Sequence, residues 1–133
     1  GQFKRIKELL NIKRNIFKEY KKNFSKISVK FNLDNKNFKN GLWATVICFD
    51  KKYSINIPKL IKFLKDKKIY SREFFRPLSS QPAYRNFVSN KEVKLNKISY
   101  NLYKNLLVLP SHYNLKRIDI KKVSTNIINF INK

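Results

Sequence analysis

The sequence predicts an α+β domain, in which helices pack on one face of a small, mostly antiparallel sheet. Two patterns point to this class. Apolar residues recur at helical spacing near both ends of the chain, and short runs rich in β-branched and aromatic residues lie between them. The size agrees, because 133 residues of which 42% are hydrophobic suffice for one domain with its own core. We therefore expect residues 1–133 to form a single small domain.

The leading helix is predicted over residues 2–24, where apolar side chains recur every three or four positions. These side chains are Phe3, Ile6, Leu9, Ile12, Ile16, Tyr20 and Phe24. No Ser, Thr, Asp or Asn precedes the first of them as an N-cap. We therefore expect this helix to continue from an earlier segment of a longer protein.

Strand signals and a second helix follow. Residues 25–41 read as a strand or loop, in which Val29 and Phe31 alternate with lysines, and they end in a turn. The turn residues are Asn32, Asp34, Asn35, Asn37, Asn40 and Gly41. Residues 42–49 are predicted to form a central strand, with Trp43 in the core. Pro58 suits the first turn of a helix that ends near Lys68. The buried stripe of that helix is predicted to be Leu60, Ile61, Phe63 and Leu64.

The last part of the chain predicts a helix, a strand and a closing helix. Ile98, Leu102 and Leu106 have the spacing of a short helix, and residues 106–109 form an apolar strand that Pro110 stops. The closing helix is predicted over residues 118–131. Its inward side chains are predicted to be Ile118, Val123, Ile127, Phe130 and Ile131.

Charge is the most pronounced feature of the composition, because 31 lysines and arginines stand against 8 acids and leave a net charge of +23. Such a charge fits a basic nucleic-acid-binding domain that neutralises phosphates. The positive residues are, however, spread along the chain and fall on predicted solvent faces, as Lys18, Lys21 and Lys22 do. A general bias toward Lys, Asn, Ile, Phe and Tyr explains this pattern better, and nucleic-acid binding stays the alternative.

Several classes of protein and site are disfavoured by what the sequence lacks. No apolar run approaches the roughly 20 residues that span a bilayer, and no signal peptide opens the chain, so we expect a cytoplasmic protein without a membrane partner. One Cys and one His exclude a disulfide framework and a structural zinc site. Glycine-rich phosphate loops and hydrolase motifs are absent. We expect Cys48 to be a buried, inert thiol and His112 to lie in a surface turn.

The segment from 69 to 84 is the most informative part of the chain. Residues 69–75 read as extended, and residues 76–84 as a loop that Pro77 and Pro82 keep free of regular structure. Residues 71–84 combine arginines, aromatics and hydroxyls, which could bind phosphate or sugar. The alternative is a rigid loop that packs Phe74, Phe75 and Tyr84 against the core, and the residues alone do not decide between the two.

The run Arg-Glu-Phe-Phe-Arg-Pro-Leu-Ser-Ser-Gln-Pro-Ala-Tyr, residues 72–84, resembles a segment of the DegT/DnrJ/EryC1/StrS sugar aminotransferases. Motifs in the same order surround it. Residues 1–9 resemble the family's leading helix, and residues 41–50 its strand with Tyr-Trp at the start. Leu-Val-Leu-Pro-Ser, residues 107–111, resembles the Leu-Pro-Ser motif before the last helix. The Pro-Leu-Ser-Ser form leans toward members similar to perosamine synthase, which act on GDP-4-keto-6-deoxymannose.

The resemblance implies the small C-terminal domain of a fold-type-I aminotransferase that uses pyridoxal phosphate. A lysine of the large N-terminal domain carries the cofactor as a Schiff base, and an amino donor, usually glutamate, supplies the amino group for a nucleotide-linked keto-sugar. Such enzymes serve cell-surface polysaccharide biosynthesis and are homodimers. The large domain lies outside this chain, so no lysine here is assigned as catalytic and the isolated chain is expected to be inactive.

By the same resemblance, four residues are the candidates for the substrate side of the site. These are Phe75, Arg76, Ser79 and Tyr84. Ser79 stands where many members have His, and Glu73 stands where Pro is common, which is expected to loosen the loop. Lys116 replaces the usual Thr before the last helix, so we expect a weaker helix cap there.

Overall fold

The computed structural model describes residues 2–33, 37 and 40–132. The predicted turn residues Asp34 and Asn35 lie outside the described residues. The helices are α1 (Ile6–Asn23), α2 (Ile57–Asp66), α3 (Asn90–Leu95), α4 (Lys97–Leu102) and α5 (Arg117–Ile131). The strands are β1 (Val29–Phe31), β2 (Thr45–Phe49), β3 (Arg72–Glu73) and β4 (Leu106–Leu109).

The four strands form one sheet in the order β1-β2-β4-β3, and every neighbouring pair is antiparallel. The predicted α+β class with a small antiparallel sheet is thereby confirmed. Because β2 and β3 both run opposite to β4, the first residues of β2 and β3 lie beside the last residues of β4, at one end of the strands. We call this end of the strands the sheet edge. This edge, where Thr45 pairs with Leu109 and Arg72 with Val108, is where the site described below is built.

One face of the sheet carries the main core. Ile47 and Leu107 are fully buried at its centre, and α1, α2 and α5 cover them, which confirms helices on one face. From α1, the buried phenol of Tyr20 donates a hydrogen bond of 2.9 Å to the Pro110 carbonyl just after β4. Burial, with a smaller contribution from the charge of Asp119, raises the pKa of Tyr20 well above its usual range.

The opposite face has a smaller apolar cluster. Ala44, Val46, Leu106 and Val108 form it. Cys48 and Phe74 are half-buried against this cluster. Burial is the largest influence on the pKa of the Cys48 thiol and raises it, although the thiol is half-buried and not fully buried as predicted.

The leading helix differs from its prediction at its first turn. Residues 2–5 form a 3₁₀ turn and α1 begins at Ile6, with no side-chain cap at Arg5. The buried stripe extends over Ile16, Tyr20 and Phe24, as expected, but Phe3 and Ile6 are exposed. Phe3 is 85% exposed and Ile6 41%, so helical spacing alone placed them wrongly on the core face.

The closing helix also shows a change of phase at its start. Val123 and Ile127 are buried as predicted, and Phe130 and Ile131 pack at the edge of the core. Ile118, however, is 68% exposed, whereas Ile120 is 2% exposed. Positions 120, 123 and 127 share one helical face, and position 118 lies about 200° away from 120, so the inward prediction for Ile118 was wrong.

The N-terminus of α2 has a strong cap, and the N-terminus of α5 has a weak one. The Asn56 side chain accepts a hydrogen bond of 2.9 Å from the Lys59 N–H, and Pro58 lies in the first turn, as predicted. At α5, the Asp119 carboxylate accepts a bond of 3.0 Å from the Lys116 N–H. The Lys116 side chain carries no hydrogen-bond acceptor for a backbone N–H of the helix. Only half of a capping box therefore forms there, and the expected weak cap is present.

The middle of the chain has more helix and less strand than predicted. Only Arg72–Glu73 of residues 69–75 pairs as a strand, and residues 76–84 contain short 3₁₀ turns. The helix predicted through Leu106 ends at Leu102, because Leu106 begins β4. The prediction missed α3, although Ser89 and Glu92 cap it reciprocally at a recognisable spacing.

Candidate functional site

An exposed group of aromatic and arginine side chains occupies the sheet edge where β2 and β3 begin. Trp43 precedes β2 and is 58% exposed, so its predicted place in the core was wrong. The pleat explains the error, since Ala44 and Val46 turn to the small apolar cluster while Trp43 lies before Thr45, the first paired residue of β2. The indole is therefore available at the surface.

The contacts of Trp43 define an aromatic–arginine cluster that consists of Trp43, Arg72 and Phe75. The rings of Trp43 and Phe75 are stacked, with centroids 6.0 Å apart and an interplanar angle of 22°. The Arg72 guanidinium lies 5.5 Å from the Trp43 centroid and 5.7 Å from that of Phe75. Such cation–π contacts orient a guanidinium without neutralising it. Within the described ranges, no carboxylate forms an ion pair with Arg72.

A recess of about 270 Å³ lies beside this cluster. Its polar wall includes Tyr70, Ser71, Arg72 and Ser111, and the Trp43 indole forms part of its apolar wall. The Ser71 hydroxyl oxygen is buried and has no hydrogen-bond partner in the described part of the chain. A buried hydroxyl without a partner is destabilising by about 1–3 kcal/mol.

Lys13 of α1 holds the backbone behind the recess. Its ammonium donates to the Ser111 carbonyl and, at 3.4 Å, to the Trp43 carbonyl, and it lies 4.8 Å from the centroid of the Tyr113 ring. Partial burial lowers the pKa of Lys13. One side chain thus joins the leading helix, the segment before β2 and the segment after β4.

The four predicted site residues lie on one segment but do not form one cluster. Phe75 is 62% exposed and joins the aromatic–arginine cluster. Arg76 is paired with Glu73 at 3.1 Å, and the Ser79 hydroxyl shares a hydrogen bond of 2.9 Å with the Tyr100 hydroxyl. Tyr84 is 47% exposed.

The rigid-loop reading of residues 71–84 holds for one of its three aromatic side chains. Phe74 packs on the small apolar cluster, as the rigid-loop reading expects, whereas Phe75 and Tyr84 project toward solvent. The loop is braced by the Ser80 hydroxyl, which donates 2.6 Å to the Pro77 carbonyl. Glu73 pairs with Leu107 in the sheet, so its place in β3 keeps the start of the loop ordered.

Sequence reasoning missed the contributions of Trp43, Arg72 and Lys13. Trp43 was assigned to the core, and Arg72 and Lys13 were left out of the candidate residues. The only local signal was the high density of arginines and aromatics in residues 71–84. The contacts themselves join positions far apart in the chain, which no local pattern reports.

Comparison with known proteins identifies the family. Residues 1–128 match the DegT/DnrJ/EryC1/StrS aminotransferase family. The chain belongs to this family. The resemblance of residues 72–84 and its flanking motifs is thereby confirmed.

Two solved structures and one curated protein are similar to this family member. The chain is 24% identical to GDP-perosamine synthase of Vibrio cholerae, over 99% of the chain and 35% of that protein. Its fold matches a putative sugar aminotransferase, Spr1654, from Streptococcus pneumoniae in the PMP form. The TM-score is 0.85 at 16% identity, over 98% of the chain and 33% of that structure. DesI in the presence of its TDP-sugar product gives a TM-score of 0.82 at 15% identity, with 98% and 33% covered.

The chain therefore spans about a third of the length of these relatives. No finding supports the nucleic-acid-binding alternative. Among the described residues, no helix is long and apolar enough to cross a membrane, and no three potential metal ligands of the His, Cys, Asp and Glu type come together.

Pyridoxal phosphate, the cofactor that the family implies, needs a lysine for its Schiff base and ligands for its ring nitrogen and phosphate. Of the described residues, Lys13 donates to two carbonyls, and Asp119, beside the cavity of about 440 Å³ near α5, caps the Lys116 N–H. These groups hold the fold. Neither Lys13 nor Asp119 is thus available to hold the cofactor.

Proposed function

We propose that this chain is the small C-terminal domain of an enzyme that transfers an amino group to a nucleotide-linked keto-sugar with pyridoxal phosphate. The observation that carries the proposal is the family match over residues 1–128, together with the coverage of a third of each relative. In this proposal a large domain holds the cofactor, glutamate is the amino donor, and the enzyme is a cytoplasmic homodimer that serves cell-surface polysaccharide biosynthesis.

The substrate is proposed to be a nucleotide-linked keto-sugar, with GDP-4-keto-6-deoxymannose as the first candidate. The similarity to GDP-perosamine synthase supports the GDP form, and the fold similarity to DesI with a TDP-sugar makes a TDP form the natural comparison. The net charge of +23 attracts either anionic substrate. When bound, the cofactor supplies the carbonyl chemistry that passes the amino group from donor to sugar.

The role of this chain is proposed to be binding and orientation. Arg76 pairs with Glu73, and the Ser79 hydroxyl shares a hydrogen bond with that of Tyr100, so both side chains are held in place before substrate arrives. Phe75 and Tyr84 offer exposed rings that exclude water from one side of a sugar. Positioned groups of this kind lower the entropy lost when the reacting atoms are aligned.

The test starts from the DNA upstream of the codon for Gly1 and the protein that the whole reading frame encodes. That protein, supplied with pyridoxal phosphate and glutamate, is expected to aminate GDP-4-keto-6-deoxymannose or the corresponding TDP sugar, as detected by mass spectrometry of the product. The 133-residue chain alone is expected to give no product. Amination by the isolated chain would refute the division into two domains. Failure of the whole protein with both sugars would refute the proposed function.

A further inference from the structure

We propose that Tyr100 is a positioning residue, which tethers the candidate segment, residues 74–84, to α4. The inference rests on the proposed function and deepens it, because this segment carries all four candidate residues for the substrate side. None of the motifs that carry the family resemblance includes Tyr100. Its phenol acts on the segment and not on the substrate, and it thereby controls how well the keto-sugar is bound.

The hydrogen bonds of the candidate segment are almost all local. The Ser80 N–H and the Ser80 hydroxyl both donate to the Pro77 carbonyl, and short 3₁₀ turns supply further bonds within the segment. The hydroxyls of Ser79 and Tyr100 lie 2.9 Å apart, although 21 positions separate them in the chain. Among the side-chain hydrogen bonds of the described residues, this is the one that joins the segment to a distant part of the chain.

Apolar packing between the segment and α4 is incomplete, so it cannot replace this bond. A cavity of about 200 Å³ is lined both by residues 74–77 and by Ser99 and Leu102 of α4. Side chains that border a void lose the dispersion contacts that would hold the two elements together. Phe74 packs on the small apolar cluster and anchors the start of the segment. Further along, the bond to Tyr100 is the connection that fixes the segment on the helix.

The other end of the tether is on a well-supported helix. The Tyr100 N–H donates 3.2 Å to the Asn96 carbonyl, and the Asn96 N–H donates 3.1 Å to the Glu92 carbonyl, so backbone bonds join α3 to α4. Shortly after α4 the chain enters β4 at Leu106, which is 8% exposed in an interior strand of the sheet. The half-buried phenol of Tyr100 is thus a fixed point against which the segment is located.

The bond between the two hydroxyls leaves Ser79 able to bind a ligand. Each hydroxyl carries one proton, so the pair uses one proton in its mutual bond and keeps the other, together with spare lone pairs. Without the phenol oxygen, the Ser79 side chain is free to rotate and the segment is free to move. Both kinds of freedom are lost again when substrate binds, which makes binding less favourable.

The test uses the whole protein that the reading frame around this chain encodes. Tyr100→Phe removes only the phenol oxygen, and we expect kcat/KM for the keto-sugar to fall about three- to tenfold, the effect of one neutral hydrogen bond. The value for glutamate is expected to stay within about twofold, whereas a general loss of folded enzyme would lower both. Tyr103→Phe is the matched control, because Tyr103 is also half-buried and has no side-chain hydrogen bond in the described structure. It is expected to leave both values within about twofold.

A double-mutant cycle tests whether Tyr100 acts through Ser79. Ser79→Ala is expected to lower kcat/KM for the keto-sugar, and Tyr100→Phe added to it is expected to change that value by less than about twofold, because the shared bond is already lost. Independent losses that multiply in the double variant would overturn the proposal. So would an equal fall of kcat/KM for the keto-sugar and for glutamate in Tyr100→Phe.

The outcomes also separate the tether from the proposed function. If the whole protein aminates keto-sugars and Tyr100→Phe behaves as Tyr103→Phe does, the tether is wrong and the proposed function stands. If the whole protein aminates neither the GDP-linked nor the TDP-linked sugar, the proposed function is wrong, and the same cycle is measured by urea denaturation of the 133-residue chain. Losses of stability that fail to add for Ser79→Ala and Tyr100→Phe then support the tether, and additive losses overturn it.

Discussion

Lys13 is the side chain whose removal tests the architecture of the site most directly. In the variant Lys13→Met the aliphatic stem is retained, and the ammonium that joins α1 to the Ser111 and Trp43 carbonyls is lost. The carbonyl of Ser111 then loses a charged donor in a partly buried place. We expect the free energy of unfolding to fall, while the amplitude of the unfolding transition stays the same.

The magnitude follows from the three contacts. The bond to Ser111 is charged and part-buried, which corresponds to about 1.5–3 kcal/mol. The bond to Trp43 is exposed and 3.4 Å long, and we count nothing for it. The cation–π contact with the half-exposed Tyr113 adds about 0.5–1 kcal/mol. Partial burial of the ammonium is unfavourable and lowers the pKa of Lys13 in the folded state. Removal of the ammonium therefore offsets part of the expected loss. The net expected loss is about 1–3 kcal/mol.

Urea denaturation followed by circular dichroism measures this loss, and Lys18→Met is the matched control. Lys18 lies on the same helix, is exposed and has no such bonds in the described structure, so its variant is expected to change stability by less than about 0.5 kcal/mol. Lys13→Met is also expected to alter Trp43 fluorescence, since its partner carbonyl belongs to Trp43. If the two variants unfold at the same urea concentration, the role assigned to Lys13 is refuted.

Three further perturbations test the fold. Ile47→Ala empties a fully buried position at the centre of the sheet and should cost about 2–5 kcal/mol in urea denaturation, whereas Ile118→Ala, at 68% exposure, should stay within about 0.5 kcal/mol. Lys116→Ser should stabilise the chain by about 1 kcal/mol, because an extended residue before α5 gains a side chain that can accept a hydrogen bond from the helix; an unchanged melting temperature would contradict this. Hydrogen bonds from the Lys52 N–H and the Ser28 hydroxyl lower the pKa of Asp50 from its usual 3.8, so its contribution to stability is present above that value and lost as the pH falls through the lowered pKa. Asp50→Asn should therefore flatten the acid end of a melting-temperature profile, and a profile with the same slope as that of the unaltered chain would contradict the assignment.

The periodic parts of the sequence predicted their structures well because burial alone determines them. The helix pattern located α1 and α5, a run of β-branched and aromatic residues located β2, and an apolar run located β4, since each element buries one face in a core. The errors lie where a side chain fits the pattern but has no neighbour to cover it. Phe3 and Ile118 are apolar and near helical spacing, and both are exposed.

The candidate site was predicted only in the part that is local in the chain. Phe75 was identified within its motif, and the structure places it in the aromatic–arginine cluster. Trp43 was assigned to the core because its neighbours form an apolar run, and the position of the first paired residue of β2, Thr45, reverses that assignment. Strand register depends on partners elsewhere in the chain, so the run by itself could not report it.

The sequence by itself determined the class of the fold, the order of its main elements and the family, because periodicity, turn residues and motif order are all local properties. Only the tertiary structure decided which residues share a surface. Lys13 and Ser111 are 98 positions apart and Lys13 and Trp43 are 30 apart, yet one ammonium bonds to both carbonyls. Antiparallel pairing of β2 and β3 with the same strand brings Trp43 and Arg72 to one edge, and that pairing follows from the packing of the whole domain and not from any short stretch of it.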